Sequence, residues 1–122
     1  MDKTYHTVPF VKLRVLAEYD ERYKTHVAYC LETGSVVTSD DPDALKGEMK
    51  ELLEDELTFA FQTKNLTNLF SSPAPFDKWV KWKESAEKQE PEPIPLFIDN
   101  PVRKGVQGVT TESVEVQMAR AA

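Results

Sequence analysis

Residues 11–20, VKLRVLAEYD, alternate in character. Val11, Leu13, Val15, Ala17 and Tyr19 fall on one face, and Lys12, Arg14, Glu18 and Asp20 on the other. That period of two predicts a half-buried strand. ERYK (21–24) is a charged turn. HVAYCLE (26–32) is rich in β formers and apolar on both faces, as a central strand would be. Thr33-Gly34 turns the chain into a short third strand, SVVTS (35–39). Three strands with tight connections predict an antiparallel meander.

At the three aspartates Asp40, Asp41 and Asp43 the period changes to that of a helix. Asp41 suits the N-cap, Pro42 the first helical position, and Asp43 the first turn, where the helix dipole favours negative charge. From Asp41 the helix is expected to reach Gln62. Leu45, Met49, Leu52, Leu53, Leu57, Phe59 and Ala60 make its apolar arc, with Glu51, Glu54 and Asp55 opposite. Glu56 falls within the apolar arc. Either it snorkels out, or it is a carboxylate held by a base or hydroxyl at a helix–sheet or subunit interface. Gly47 faces outward and costs about 1 kcal/mol relative to alanine.

KNLTNLFSSPAP (64–75) reads as a turn-rich link. FDKWVKWKESAEK (76–88) predicts a short helix, with Pro75 in its first turn and Phe76, Trp79, Val80 and Lys83 on one face. QEPEPIP (89–95) is extended, and PLFID (95–99) is an edge strand whose prolines suit that place. NPVRKGVQG (100–108) is loop, and SVEVQMA (113–119) alternates as a last strand. The expected fold is α+β: a three- to four-stranded antiparallel sheet covered by one long helix. A C-terminal extension adds a short helix and one or two strands. Residues 1–62 form the β-β-β-α core, 63–92 the linker and tryptophan helix, and 93–122 a strand extension of the same domain. That extension packs back or swaps between subunits.

Composition narrows the function. The 122 residues, 40% of them hydrophobic, suit one domain. No apolar run is long enough to span a membrane, and lysine and arginine interrupt the apolar start, unlike a secretory signal. Cys30 is the single cysteine, so no internal disulfide or cysteine zinc site is expected. A cytoplasmic protein fits these features. The net charge is −6, and residues 40–57, with eight acids and two bases, carry all of it. Such a segment repels nucleic acid and attracts basic partners, or it is simply a solvated helix face.

Two clusters invite chemistry. The aspartates at 40, 41 and 43 could suggest a metal or hydrolytic site, but each has a structural role at a helix start. The chain also lacks a third histidine and an Asp-x-Asp-x-Asp-Gly loop. Glu18, Asp20 and Asp40 have no spacing that compels a nuclease set. No catalytic residue, metal or cofactor is therefore assigned. KWVKWK could place Lys78, Lys81 and Lys83 on phosphates with Trp79 and Trp82 stacking on bases. Tryptophans at i and i+3 otherwise cover a core edge or a dimer contact, and Glu84, Glu87 and Glu90 cancel the local basic charge.

The stretch HVAYCLETGSVVTSDDPDALKGEMKELLEDEL, within residues 11–57, resembles the N-terminal domain of HicB-type antitoxins from bacterial toxin–antitoxin pairs. The matching positions are Val27-Ala28-Tyr29, Gly34, Val36-Val37, Ser39-Asp40 and Asp43-Ala44-Leu45. Ser39 stands where the family usually has glycine, and Cys30-Leu31-Glu32 where it usually has Pro-Glu. The resemblance implies a partial RNase H-like fold without the nuclease carboxylates, binding of a small RNase toxin, and dimers or tetramers. No DNA-binding helices follow SVEVQMARAA, so direct operator binding is not expected. The function expected is non-enzymatic protein binding, with Asp40, Asp43, Glu48, Glu51, Glu54 and Asp55 meeting a small basic toxin. Glu56, Trp79, Trp82 and Phe97 are candidates for a contact between copies. Two alternatives stand beside this reading: a stand-alone homo-oligomeric domain, and a nucleic-acid-binding regulator using the Lys78–Lys83 stretch.

Overall fold

The computed structural model describes residues 12–99 and 111–121. The elements are β1 (Lys12–Asp20), β2 (Thr25–Cys30), β3 (Val36–Ser39), α1 (Ala44–Gln62), α2 (Leu66–Leu69), α3 (Phe76–Lys88), β4 (Glu92–Asp99) and β5 (Thr111–Arg120). They form one five-stranded sheet in the order β3-β2-β1-β5-β4, with α1 packed on one face and α3 on the other. The α+β class and the meander β1-β2-β3 match expectation. The sheet is larger than expected and is mixed, not antiparallel. β5 lies parallel to β1, with Leu13 opposite Val116 and Val15 opposite Met118. β4 and β5 join β1, β2 and β3 in this one sheet. The loop expected at 100–108 lies outside the described residues, as does Val11.

One face holds the main core. Leu13, Val15 and Ala17 of β1 meet Ala28 and Cys30 of β2, Ile94, Leu96 and Ile98 of β4, and Val114, Val116 and Met118 of β5. Over them lie Leu45, Met49, Leu53, Leu57 and Phe61 of α1, a stripe at helical spacing. Three residues depart from the expected arc, Leu52 among them, which is only half-buried. Phe59 is 67% exposed, while Phe61, not anticipated, is buried. β1 is covered on its second face as well: Leu16 is fully buried with Leu31 and Ala74, against Trp79 and Trp82 of α3. It is a central strand where a half-buried one was expected.

The helix ends follow local chemistry. α1 starts at Ala44, not at Pro42, and Asp43 takes the N-cap position without a side-chain cap. Asp41 still accepts a hydrogen bond from a backbone amide, that of Asp43 at 2.9 Å, so it shapes the turn that feeds the helix. At the other end Lys64 is left-handed (φ 55°), and the amide of Asn65 reaches back to the carbonyl of Ala60 at 2.9 Å. This is a Schellman stop with lysine where glycine is usual. α3 has Asp77 in its first turn and Lys88 in its last, each suited to the dipole. Its buried side is not the one expected. Phe76 is 81% exposed and Val80 is exposed, whereas Lys78, Trp79 and Trp82 turn to the sheet.

Gly34 ties the layers together. Its φ is 76°, which favours glycine, and a Cβ there would lie 2.1 Å from the carbonyl oxygen of Ser72. The Ser71–Ala74 segment, whose Ala74 amide bonds to the Leu31 carbonyl at 2.9 Å, can therefore approach the β2–β3 turn and set the start of α3.

Candidate functional site

Three sides of α1 carry different chemistry. The side next to β4 is tied down. Lys46 pairs with Glu92 at 2.9 Å, and Arg120 reaches the same carboxylate at 3.6 Å. These cations hold Glu92 below the usual carboxylate range: the Lys46 hydrogen bond contributes most, burial opposes it, and the charges of Lys46 and Arg120 add to it. Lys50 donates to Glu54 at 3.3 Å and to the Pro95 carbonyl at 3.0 Å, and its ammonium lies 5.6 Å from the Phe97 ring centre. Glu54 in turn accepts the Phe97 backbone amide at 3.1 Å.

The opposite side holds Glu56. Both of its oxygens accept from the Ser35 hydroxyl, at 2.7 and 2.9 Å, and Ser35 lies 2.7 Å from the Thr33 hydroxyl. The carboxylate is thus held by a hydroxyl at a helix–sheet contact, one of the two expectations. Its partner lies within the chain, so Glu56 needs no second copy.

The outward side is what remains. Glu48, Glu51 and Asp55 are exposed at i, i+3 and i+7, and none pairs with a base among the described residues. Asp40 and Asp43 are exposed at the head of the helix. Of the six expected partner-binding acids, Glu54 is engaged by Lys50 and Phe97, and the other five face solvent. Both lysines of the segment turn toward β4, which leaves the outer side uncompensated. No pair of residues close in sequence signals this, because Lys46–Glu92 and Lys50–Pro95 join positions 46 and 45 residues apart.

The lysine–tryptophan stretch is used in packing. Glu18 of β1 accepts from both Lys78 and Lys81, the latter at 3.2 Å. Burial alone would lower the Lys78 pKa and is the largest single influence, but the hydrogen bond and charge of Glu18 outweigh it and raise it. Its ammonium also lies 4.7 Å from the Tyr29 ring centre. The indole N–H groups of Trp79 and Trp82 donate to the carbonyls of Ala74 (3.1 Å) and Gln117 (3.3 Å). The Arg14 guanidinium stands 5.6 Å from both ring centres while Glu32 holds it at 2.6 Å. Of the five residues proposed for nucleic acid, Lys83 alone is exposed without such a contact among the described residues. Of the candidates for a contact between copies, Trp79 and Trp82 are occupied in cis, and Phe97 stays 62% exposed on β4.

Cys30 is buried, and burial raises its thiol from 9.0 to about 11 against the opposing hydrogen bonds of Thr33. Among the described residues no group of three histidine, cysteine or acidic side chains could hold a metal, and no helix is long and apolar enough to cross a membrane. Comparison with family models, curated proteins and solved structures gives no match.

Proposed function

We propose that the chain is a non-enzymatic protein-binding domain that receives a basic partner on the outward side of α1. The observation that carries this reading is the unpaired acidic row of Glu48, Glu51 and Asp55, continued by Asp40 and Asp43, on a helix whose two lysines are spent on β4. A row of like charges that merely solvated a helix would gain from interspersed lysines at i+4. Here that neutralisation is withheld from the outer side, and the field it leaves favours cationic surfaces and speeds their approach. The HicB-like stretch agrees with such a role and gives the partner a class, a small basic RNase toxin that the domain would neutralise by contact. The occupied state of Lys78, Trp79, Lys81 and Trp82 favours this over binding of nucleic acid.

Calorimetric titration of the full chain with the product of a small basic reading frame encoded beside it tests the proposal. A stoichiometric complex that weakens as salt rises supports it. The absence of a complex, or of any such neighbour, overturns the toxin-directed form.

A further inference from the structure

The two edges of the sheet are treated differently. On β4, Ile94, Leu96 and Ile98 lie opposite Val116, Val114 and Glu112, and the Phe97 amide points away from β5 to Glu54. The alternate positions therefore face outward, and none of Pro93, Pro95 and Phe97 has a free N–H to offer a further strand. Pro93 and Pro95 have no N–H to offer, Lys50 occupies the Pro95 carbonyl, and Glu54 occupies the Phe97 amide.

β3, the other edge, lacks these devices. The Cys30 amide bonds to the Ser35 carbonyl at 2.8 Å, which makes that pair a bonded one. Alternation then makes Ala28–Val37 and His26–Ser39 bonded pairs as well, and leaves the N–H and C=O groups of Val36 and Thr38 directed outward. No described strand takes them. Both side chains are exposed, Val36 by 49%. Neither position is proline or charged.

We propose that β3 accepts an extended, lysine- or arginine-bearing segment of the protein partner as a sixth strand. The inference rests on the reading of α1 given above and names how that partner attaches. Charge selects the occupant. β3 runs directly into Asp40, Asp41 and Asp43, and the segment 40–57 carries the whole net charge of −6. A second copy would bring the same net negative charge to this edge, whereas a basic strand brings complementary charge to the acids at its end. Two residues provide only four backbone groups. The edge therefore fixes register, and the acidic row of α1 supplies the remaining attraction.

The probe is a short peptide alternating lysine with valine, beside a glutamate-for-lysine version, added to the full-length chain. Binding is read by fluorescence anisotropy and by hydrogen exchange at individual amides. The lysine peptide should bind and slow exchange at Val36 and Thr38, while the glutamate peptide should not. Thr38→Pro, at an exposed edge position, removes one outward N–H and should weaken binding about tenfold. Methylating the pairing amides of the lysine peptide should weaken it equally with the protein unaltered. If the lysine peptide slows exchange only along α1 and is indifferent to Thr38→Pro and to methylation, the edge proposal fails and the acidic face stands. If neither peptide binds, or both bind equally, both readings fail. Protection of Val36 and Thr38 in the free chain would show the edge already covered, by a second copy or by the chain itself, and would also overturn the proposal.

Discussion

The two faces of the sheet are held by opposite means. Under α1 the contact is apolar and buried, from Leu45 to Phe61 over four strands. Under α3 a small apolar patch of Leu16, Leu31 and Ala74 is ringed by Arg14–Glu32, Glu18 with Lys78 and Lys81, and two indoles that donate to carbonyls. The first face derives its stability from area removed from water. The second spends its polar groups on positioning a helix that has no fully buried residue. A helix docked on the first kind of face can present whatever its outer side bears, and α1 bears unpaired acids. On the second, the two lysines of α3 that reach the sheet, Lys78 and Lys81, are already committed to Glu18.

Cutting into the α1 face should have the largest effect. Leu53→Ala, at a fully buried position, should destabilise by about 2–5 kcal/mol in chemical denaturation. On the α3 face Glu18→Gln should remove about 1–3 kcal/mol, since it leaves a half-buried lysine without its anion. Trp79 emission should shift to longer wavelength in that variant as α3 loosens, and should not shift in Leu53→Ala under native conditions. An unshifted spectrum with unchanged stability would show that Glu18 does not hold α3.

Alkaline pH probes both faces at once. The Cys30 thiol is raised from 9.0 to about 11, so the unfolded chain loses this proton first and stability falls as pH climbs between those values, by up to about 3 kcal/mol. Lys78 is raised too, so its contribution is complete below the ordinary lysine range and disappears as pH rises through its folded value. Both act in the same direction. A Cys30→Ala variant should lose the first part of the slope, and a flat profile from pH 9 to 11 would contradict the burial of the thiol.

Smaller effects belong to the ends and outer side of α1. Lys64→Gly should stabilise by about 1 kcal/mol by relieving a left-handed lysine. Gly47→Ala should do the same, because a Cβ there meets nothing within 4 Å and helix propensity favours alanine. Nothing in the structure explains why glycine stands at 47. Thermal melts of the two variants decide the sign.

Much of the α1 face was legible in the sequence, because period and chain order decide it. Leu45, Met49, Leu53 and Leu57 repeat every turn, and the meander's strands are neighbours in the chain. The α3 face was not, since its contacts join residues about 60 apart: Glu18 with Lys78 and Lys81. A lysine that is half buried against a tyrosine looks, in sequence, the same as one on phosphate. The parallel β1–β5 pairing was equally hidden, because alternation in SVEVQMA reveals a strand but not its neighbour. Phe61 continues the four-residue spacing of Leu45, Met49, Leu53 and Leu57, whereas Phe59, two residues after Leu57, turns to solvent. The acidic segment was read correctly as a charge, but which of its members face solvent depended on two lysines reaching β4.

The central claim, that the outer side of α1 receives a basic partner, is tested most directly by two charge-matched variants. In one, Glu48, Glu51 and Asp55 become lysine; in the other, the exposed Glu84, Glu87 and Glu90 on and after α3 do. Both change net charge by the same amount, so a general attraction would suffer equally. Titrated with the lysine–valine peptide or a basic partner protein, the first variant should lose roughly 100-fold in affinity and the second only a few-fold. Equal losses, or none in either, would contradict the account.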